Sequence, residues 1–139
     1  EKAVSNIQKY NLENKVIPVL SNGIDRIEKD VNIVIIAGMG FYTVKEILEG
    51  KDLVPYDKII VQVNKDTNLL RKWISDKGYS IIDEAIVKDD FYYEIVVFNS
   101  KPGPVLSPLE LKYGHIKKLA SLYHVSFNDI FKNRLFCFY

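Results

Sequence analysis

Apolar residues in this chain occur in short runs that are separated by polar and glycine-containing segments. In Asn32–Ile36, four consecutive β-branched residues follow one another without alternation, which predicts a strand covered on both faces, as in parallel sheets. Lys58–Val63 predicts a second buried strand, and the proline of Lys15–Leu20 places that short run at a sheet edge or a strand end. Tyr79–Val87 and Phe91–Phe98 are joined across a polar turn and indicate an antiparallel hairpin.

Helices are predicted between these strands. Thr43 is followed three residues later by Glu46, a capping-box pattern that predicts a helix start, and Gly50 is suited to the helix end. Apolar spacing and stop signals predict further helical segments at Lys2–Leu12, from Asp66 or Thr67 to Lys77-Gly78, and at Ile116–Phe131, with one or two helical turns at Ile24–Glu28. Prolines and a glycine in Ser100–Pro108 predict an exposed loop.

The order of the predicted elements narrows the fold class. Strands alternate with helices and the series closes in a hairpin, which predicts an α/β domain with a mostly parallel sheet and an antiparallel strand near one edge. Such an order does not by itself identify a function. In doubly wound sheets, however, ligands bind beyond the carboxyl ends of the strands, so the turns that follow the strands are the first candidates for a site.

Composition excludes several classes of protein. Hydrophobic residues make up 47% of the 139 residues and charged residues 27%, which is typical of a globular domain rather than a disordered or membrane-spanning chain. Cys137 is the single cysteine, so no internal disulfide can form, and residues 1–20 carry no continuous apolar stretch of the kind found in targeting signals. We therefore expect a cytoplasmic protein in a reducing compartment.

The charge is unevenly distributed, although the net charge is only +1. Residues 100–139 contain six basic and two acidic groups, a balance of +4, which leaves 13 basic and 16 acidic groups and a balance of −3 in residues 1–99. A basic tail on a mildly acidic body is compatible with RNA contact. A solvated surface helix explains the same count equally well.

Two turns after predicted strands carry candidate chemistry. Asn22 and Gly23 follow the first strand, where an amide can bond a purine edge and a glycine leaves room for a ring, although Asn-Gly is also among the commonest turn pairs. Gly38-Met39-Gly40 follows Asn32–Ile36 and exposes backbone amides and carbonyls at the rim of the sheet. A tight turn with Met39 packed into the core would give the same sequence.

A metal centre is not expected. His115 and His124 stand nine residues apart with no carboxylate at ligand spacing. Asp83 and Glu84 are adjacent on a predicted strand and therefore point to opposite faces, so they cannot form a carboxylate dyad.

Several segments occur together in an order that resembles one enzyme family. They are Ala3–Leu12, Asn22-Gly23-Ile24, Ile33–Gly40, Glu46–Glu49, Val61–Asn64, Leu70–Ile74, Gly78-Tyr79, Tyr93–Val97 and Lys112-Tyr113-Gly114. The resemblance is to the bacterial S-adenosylmethionine-dependent methyltransferases that modify N1 of adenine 22 in tRNA, and it covers most of the chain. Ile36–Gly40 (Ile-Ala-Gly-Met-Gly) is its most specific segment, because most methyltransferases carry an Asn/Asp-Pro-Pro-aromatic motif there.

The resemblance implies a Rossmann-like class I methyltransferase fold, whose strands are ordered 3-2-1-4-5-7-6. Lys15–Leu20 corresponds to the third strand, Asn32–Ile36 to the fourth, and Lys58–Val63 to the fifth. The hairpin corresponds to the last two strands, so the first two strands of the family's sheet have no counterpart here. Residues 1–99 would form this partial methyltransferase domain, and residues 100–139 a loop and a C-terminal helical extension.

The resemblance also implies a site for S-adenosylmethionine. Asn22 would accept a hydrogen bond from the adenine amino group of the cofactor, and Gly23-Ile24 would line its ring. Ala37 and Gly38 would face the sulfonium methyl group. The pocket for the target base would be formed at the same rim, from Gly38, Met39 and Gly40. From their positions after the strands, Phe41 or Tyr42 is a candidate to stack on the base, although an aromatic at this place is more often part of the core, and Asn64 is a candidate for the pocket rim, although a helix N-cap or turn residue explains it equally well.

Adenine N1 carries a lone pair, so its methylation needs positioning and exclusion of water rather than a strong base. A sequence without a catalytic triad or a metal set is consistent with that chemistry. We expect S-adenosylmethionine as the cofactor and tRNA as the partner. Two alternatives stay open: a truncated, non-catalytic remnant of this fold, with or without RNA binding, and another kind of nucleotide-binding α/β domain.

Overall fold

The structure is a computed structural model that describes residues 2–28 and 30–115. Its elements are α1 (Lys2–Lys9), β1 (Ile33–Met39), α2 (Phe41–Leu48), β2 (Lys58–Val63), α3 (Thr67–Asp76), β3 (Tyr79–Lys88), β4 (Tyr92–Pro102) and α4 (Pro108–Tyr113). The helix predicted at Ile116–Phe131 lies outside the described residues, as do His124 and Cys137.

The four strands form one mixed sheet with the order β1-β2-β4-β3. β1 and β2 are parallel and are joined through α2, whereas β4 is antiparallel to both β2 and β3. This is the 4-5-7-6 arrangement that the resemblance implies for the last four strands of a class I methyltransferase. The predicted Rossmann-like α/β fold, closed by an antiparallel hairpin, is therefore confirmed.

Helices α2 and α3 pack on the same face of the sheet. The centre of this core is formed by fully buried apolar side chains of both layers: Val44, Leu48, Ile59, Val61, Leu70, Ile74, Val96 and Phe98. On the opposite face of β1, Ile33 and Ile35 are 46% and 68% exposed, while only the alternate residues Val34 and Ile36 are buried. The prediction that Asn32–Ile36 is covered on both faces is wrong for the described residues, because both crossover helices lie on one side and α1 buries no residue.

Lys15–Leu20 does not form the predicted strand. Its residues are exposed and belong to no strand of the described sheet. In the family's order the third strand is separated from the fourth by two others, and the described sheet ends at β1 on that side, so the segment has no neighbouring strand with which to form a ladder. The residues that follow form hydrogen-bonded turns rather than a helix over Ile24–Glu28, with Asp25 N–H donating to the Asn22 carbonyl across 3.4 Å.

Helix α2 begins earlier than predicted. Its N-cap is Gly40, whose carbonyl accepts from Val44 N–H across 3.1 Å, and Thr43 lies inside the helix. The capping-box prediction for Thr43 is wrong because the helix already begins at Phe41, whose side chain is buried in the core. Strand β2 and helix α3 form where the sequence predicts them, and α1 is shorter than predicted.

The end of the hairpin also differs from the prediction. β4 runs through Pro102 rather than ending at Phe98, so the first residues of the predicted loop Ser100–Pro108 belong to a strand. The short helix α4 follows, which the sequence reasoning missed. A capping box starts it: Ser107 Oγ accepts from Glu110 N–H (3.3 Å), and the Glu110 carboxylate accepts from Ser107 N–H (2.8 Å). The division of the chain at residue 99 stays a prediction.

Candidate functional site

The carboxyl ends of β1 and β2 form a polar rim on the sheet. Because the two strands are parallel, Met39 at the end of β1 lies beside Val63 at the end of β2. Asn64, the residue after β2, donates its backbone N–H to the Met39 carbonyl across 2.9 Å. The structure therefore brings together the residues predicted to follow these two strands, the Gly38–Gly40 segment and Asn64.

Gly38 is the irregular point of this rim. The register passes from Ala37 paired with Gln62 to Met39 paired with Val63, so Gly38 is a bulge that has no strand partner. Its φ of +76° lies in the left-handed region, which glycine adopts without steric cost. The strand therefore continues to Met39 instead of ending at Ile36 as predicted.

Two side chains satisfy the backbone of this bulge. Gly38 N–H donates to Gln62 Oε1 across 2.9 Å, and the Gly38 carbonyl accepts from Asn64 Nδ2 across 3.0 Å. Asn64 was predicted at this rim, whereas the sequence reasoning missed Gln62. The available signal was a single polar residue in the apolar stretch from Ile59 to Val63.

Among the described residues, the side of the rim away from β2 is open, at the sheet edge where the family's order places the first strand. A methyl group built on Gly38 or Gly40 would meet no atom within 4 Å. Met39 is 40% exposed and is therefore not core filler, and Ala37 is exposed as well. The open side thus combines a partly apolar surface with backbone polar groups.

The two aromatic residues after the rim have different environments. Phe41 is 7% exposed and belongs to the hydrophobic core, whereas Tyr42 is 72% exposed. Their ring centroids lie 5.3 Å apart at an interplanar angle of 59°. Tyr42 is thus the accessible aromatic next to Gly40, and Phe41 supports it from within the core.

The turn predicted to hold the adenine of the cofactor lies further along α2. Asn22 is exposed, and Gly23 has a φ of +60°. A Cβ on Gly23 would lie 3.0 Å from a side-chain atom of Ile47, so this turn packs on the C-terminal half of α2, and Ile24 packs against the core. The rise of a helix places Ile47 about 9 Å from Phe41, the residue beside the rim.

A second polar cluster joins α3 to the hairpin, and the sequence reasoning missed it. In this Arg71 cluster, Arg71 Nε donates to Glu84 Oε1 across 2.6 Å and Nη2 donates to Glu94 Oε2 across 2.5 Å. His115 donates its backbone N–H to Glu84 Oε2 across 2.7 Å, and its ring Nδ1 lies 2.9 Å from the same oxygen. Only 1% of the Arg71 side chain and 2% of the Glu84 side chain are exposed.

Electrostatics keep both buried members of this cluster ionised. Burial acts to lower the pKa of Arg71, but the charges of Glu94 and Glu84 outweigh it, so this pKa lies above its ordinary value. Burial acts to raise the pKa of Glu84, but the charge and hydrogen bond of Arg71 and the donors of His115 hold it below its ordinary value. The cluster is therefore suited to anchoring the chain after α4 rather than to proton transfer.

The part of the chain that the structure describes contains no group of three His, Cys, Asp or Glu side chains that could hold a metal ion. No helix within residues 2–28 and 30–115 is long and apolar enough to cross a membrane.

Comparison with known proteins gives the family. The sequence model of the tRNA (adenine(22)-N(1))-methyltransferase family matches residues 1–135. The tRNA (adenine(22)-N(1))-methyltransferase of Bacillus subtilis (strain 168) is 33% identical over an alignment of 95 residues that covers 66% of this chain and 40% of that protein. The chain thus spans less than half the length of this curated relative.

Solved structures show the same relationship. M. capricolum TrmK in complex with S-adenosyl-homocysteine superposes with a TM-score of 0.70 at 27% identity, over 83% of this chain and 53% of that one. A Streptococcus pneumoniae protein in complex with S-adenosyl-L-methionine superposes with a TM-score of 0.78 at 29% identity, over 95% of this chain and 63% of that one. With the family match over residues 1–135, these relatives show that the chain belongs to the tRNA (adenine(22)-N(1))-methyltransferase family.

Proposed function

We propose that this chain is part of an S-adenosylmethionine-dependent enzyme that methylates N1 of adenine 22 in tRNA. The observation that carries the proposal is the rim at the carboxyl ends of β1 and β2, where the Gly38 bulge is held in place by polar side chains and faces open space. Ligands of open α/β sheets bind at this end of the strands. The family match over residues 1–135 supports this chemistry for the site.

The rim fits the methyl-donor part of the cofactor. Ala37 and Gly38 offer exposed backbone and no bulky side chain, and a Cβ at Gly38 would enter unfilled space. Within the proposed site, S-adenosylmethionine supplies an electrophilic methyl group on its sulfonium. Ala37 and Gly38 would hold that end of the molecule.

The adenine end of the cofactor is proposed to lie on the turn that carries Asn22, Gly23 and Ile24. The exposed amide of Asn22 can accept from an adenine amino group, and the small Gly23 and the apolar Ile24 can line its ring. Adenine and sulfonium lie on opposite sides of the ribose in this cofactor. In the described residues this turn is separated from the rim by about 9 Å along α2, toward the amino ends of the strands, so the adenine part of the proposal is supported by the family match and not by proximity to the rim.

The target adenine is proposed to enter the open side of the rim after leaving its stack in the tRNA. The Gly38 carbonyl has a second lone pair beside its bond to Asn64, and it can accept from the amino group of the base. Exposed Tyr42 stacks on the base, with Phe41 beneath it, while Met39 and Gly40 border the pocket. N1 already carries a lone pair, so the residues of this rim position it and need not remove a proton.

Isothermal titration calorimetry with S-adenosylmethionine tests the cofactor part of this proposal. We expect the gene product, expressed at the length of its relatives, to bind S-adenosylmethionine. The substitution Asn22→Ala should weaken this binding by about 10-fold, because one hydrogen bond to the cofactor is lost. Asn6→Ala, which changes an exposed amide on α1, is the matched control and should bind as the wild type does. Absence of binding by the wild type would contradict the proposal and favour the non-catalytic remnant.

A further inference from the structure

The Gly38 bulge is held by polar bonds and not by packing. Among the described residues, no atom outside Gly38 and its two chain neighbours lies within 4 Å of the position that a Gly38 Cβ would occupy, so none of their side chains packs against that side of the bulge. What fixes the backbone of Gly38 is one hydrogen bond on each side of its Cα, from N–H to Gln62 Oε1 and from Asn64 Nδ2 to the carbonyl. Removal of either bond would release a backbone group in a conformation that the strand ladder does not support.

The contacts of Nε2 fix the orientation of the Gln62 side-chain amide. Gln62 Nε2 donates to the Val63 carbonyl across 2.9 Å and lies 3.5 Å from Asn64 Oδ1. The side-chain oxygen must therefore point toward Gly38 N–H, since a flipped amide would place an oxygen against the Val63 carbonyl. Gln62 is half-buried, so this chain of bonds is partly shielded from water.

The side-chain amides of Gln62 and Asn64 together hold the backbone of Gly38, but they differ in their relation to the substrate. Asn64 is exposed and bonds the same carbonyl that we assign to the target base, so its effect on activity cannot be separated from direct contact with the substrate. Gln62 bonds only the N–H side and the neighbouring polar groups of β2 and Asn64. An effect of Gln62 on the reaction therefore has to pass through the backbone conformation of Gly38.

We propose that Gln62 is a positioning residue for methyl transfer, which acts by holding the Gly38 N–H and thereby the backbone angles of Gly38, so that the carbonyl on the other side of Cα points at the amino group of the target adenine. The proposal rests on the proposed function. Gln62 makes no contact with the base or the cofactor in this account. Its contribution therefore appears in the turnover of bound substrate and not in the affinity for S-adenosylmethionine.

The test is Gln62→Met in the gene product at the length of its relatives, assayed for methyl transfer to a tRNA with adenine at position 22. Misplacement of a reacting group by about 1 Å costs up to about 100-fold in rate, so we expect kcat to fall by about 10- to 100-fold while KM for tRNA and Kd for S-adenosylmethionine change less than about 2-fold. Ile60→Met is the matched control, since Ile60 lies two residues earlier on the same face of β2, and it should keep wild-type kcat.

A structural readout separates this proposal from the proposed function. By NMR, the Gly38 amide proton should exchange with solvent faster in Gln62→Met than in Ile60→Met, whether or not the protein is active. An unchanged Gly38 exchange rate, or a Gln62→Met enzyme with wild-type kcat, overturns the positioning role while leaving the proposed function intact. A wild type without methyl transfer overturns the proposed function and the positioning role with it.

If Gln62→Met fails to fold, Gln62→Glu takes its place, because it has the same shape and retains an acceptor for Gly38 N–H. It replaces the Nε2 donor by an oxygen that faces the Val63 carbonyl and Asn64 Oδ1. We expect a lower kcat at neutral pH with an unchanged Kd for S-adenosylmethionine. A wild-type kcat in a Gln62→Glu enzyme whose Gly38 amide proton exchanges faster than in the wild type would overturn the proposal, because the bond to Gly38 N–H would then be lost without an effect on turnover.

Discussion

Arg71 and Glu84 form an ion pair in which Nε lies 2.6 Å from Oε1, with 1% of one side chain and 2% of the other exposed. A pair this deeply buried depends on both members, because removal of one leaves an uncompensated charge in the interior. Arg71 also bonds Glu94, and Glu84 also bonds His115, so the pair ties α3 to both strands of the hairpin and to the chain that leaves α4.

Replacement of Arg71 by Met should destabilise the protein by about 3–5 kcal/mol, because Glu84 loses its main partner inside the core. Lys72→Met is the matched control: Lys72 is the next residue of α3, but its ion pair with Asp76 is solvent-exposed, so the change should stay within about 0.5 kcal/mol of the wild type. Urea unfolding followed by circular dichroism measures both. Equal losses in the two variants would show that the buried pair contributes nothing specific.

Substitution by alanine should destabilise the protein more at Gly114 than at Gly50. Both residues have similar positive φ values, +71° and +73°, which L side chains rarely adopt, and the ψ of −164° at Gly114 lies in a region that is essentially restricted to glycine. At Gly50 the new methyl group meets nothing within 4 Å, whereas at Gly114 it would lie 2.6 Å from Glu84 Oε2 and 2.9 Å from Arg71 Nη2. Gly114→Ala should therefore unfold at a lower urea concentration than Gly50→Ala, and coincident midpoints would contradict the close approach.

The stabilisation that Glu84 provides should disappear in acid. Burial acts to raise the pKa of this carboxyl, but Arg71 and the His115 donors outweigh it, so the folded-state pKa lies below the ordinary value of 4.5. Glu84 therefore contributes stability that is fully present above pH 4.5 and is lost as the pH falls through the folded-state pKa. The difference in unfolding free energy between the wild type and Glu84→Gln should be largest near pH 7 and should shrink below pH 4.5. A difference that stays constant from pH 7 to 3 would exclude this linkage.

Most of the fold follows from local patterns in the sequence. β2 and the hairpin were predictable because apolar runs are bounded by polar turns, and the order β1-β2-β4-β3 agrees with the resemblance. Lys15–Leu20 has the composition of a strand, but composition does not show whether a neighbouring strand is available for pairing. The same limit applies to Asn32–Ile36, whose apolar residues cannot reveal that both crossover helices lie on one face.

The candidate site was only partly predictable. Gly38 and Asn64 stood out because one is a glycine after a strand and the other is an amide after the next strand. Gln62 did not stand out, because its role depends on the bulge that shifts the register at Gly38. The Arg71 cluster was hidden for another reason: its hydrogen-bonded partners are 13 to 31 residues apart in the sequence, and the packing of α3 on the hairpin brings them together.

The central claim, methylation of N1 of adenine 22, is tested most directly by methyl transfer to a pair of tRNA transcripts that differ only at position 22. The gene product at the length of its relatives is incubated with radiolabelled S-adenosylmethionine and each transcript, and the modified position is mapped by primer extension, which stops at N1-methyladenine. The account predicts label and a stop at position 22 in the adenine transcript and neither in the guanine transcript. Equal labelling of both transcripts, or no labelling of either by a protein that binds the cofactor, would contradict it.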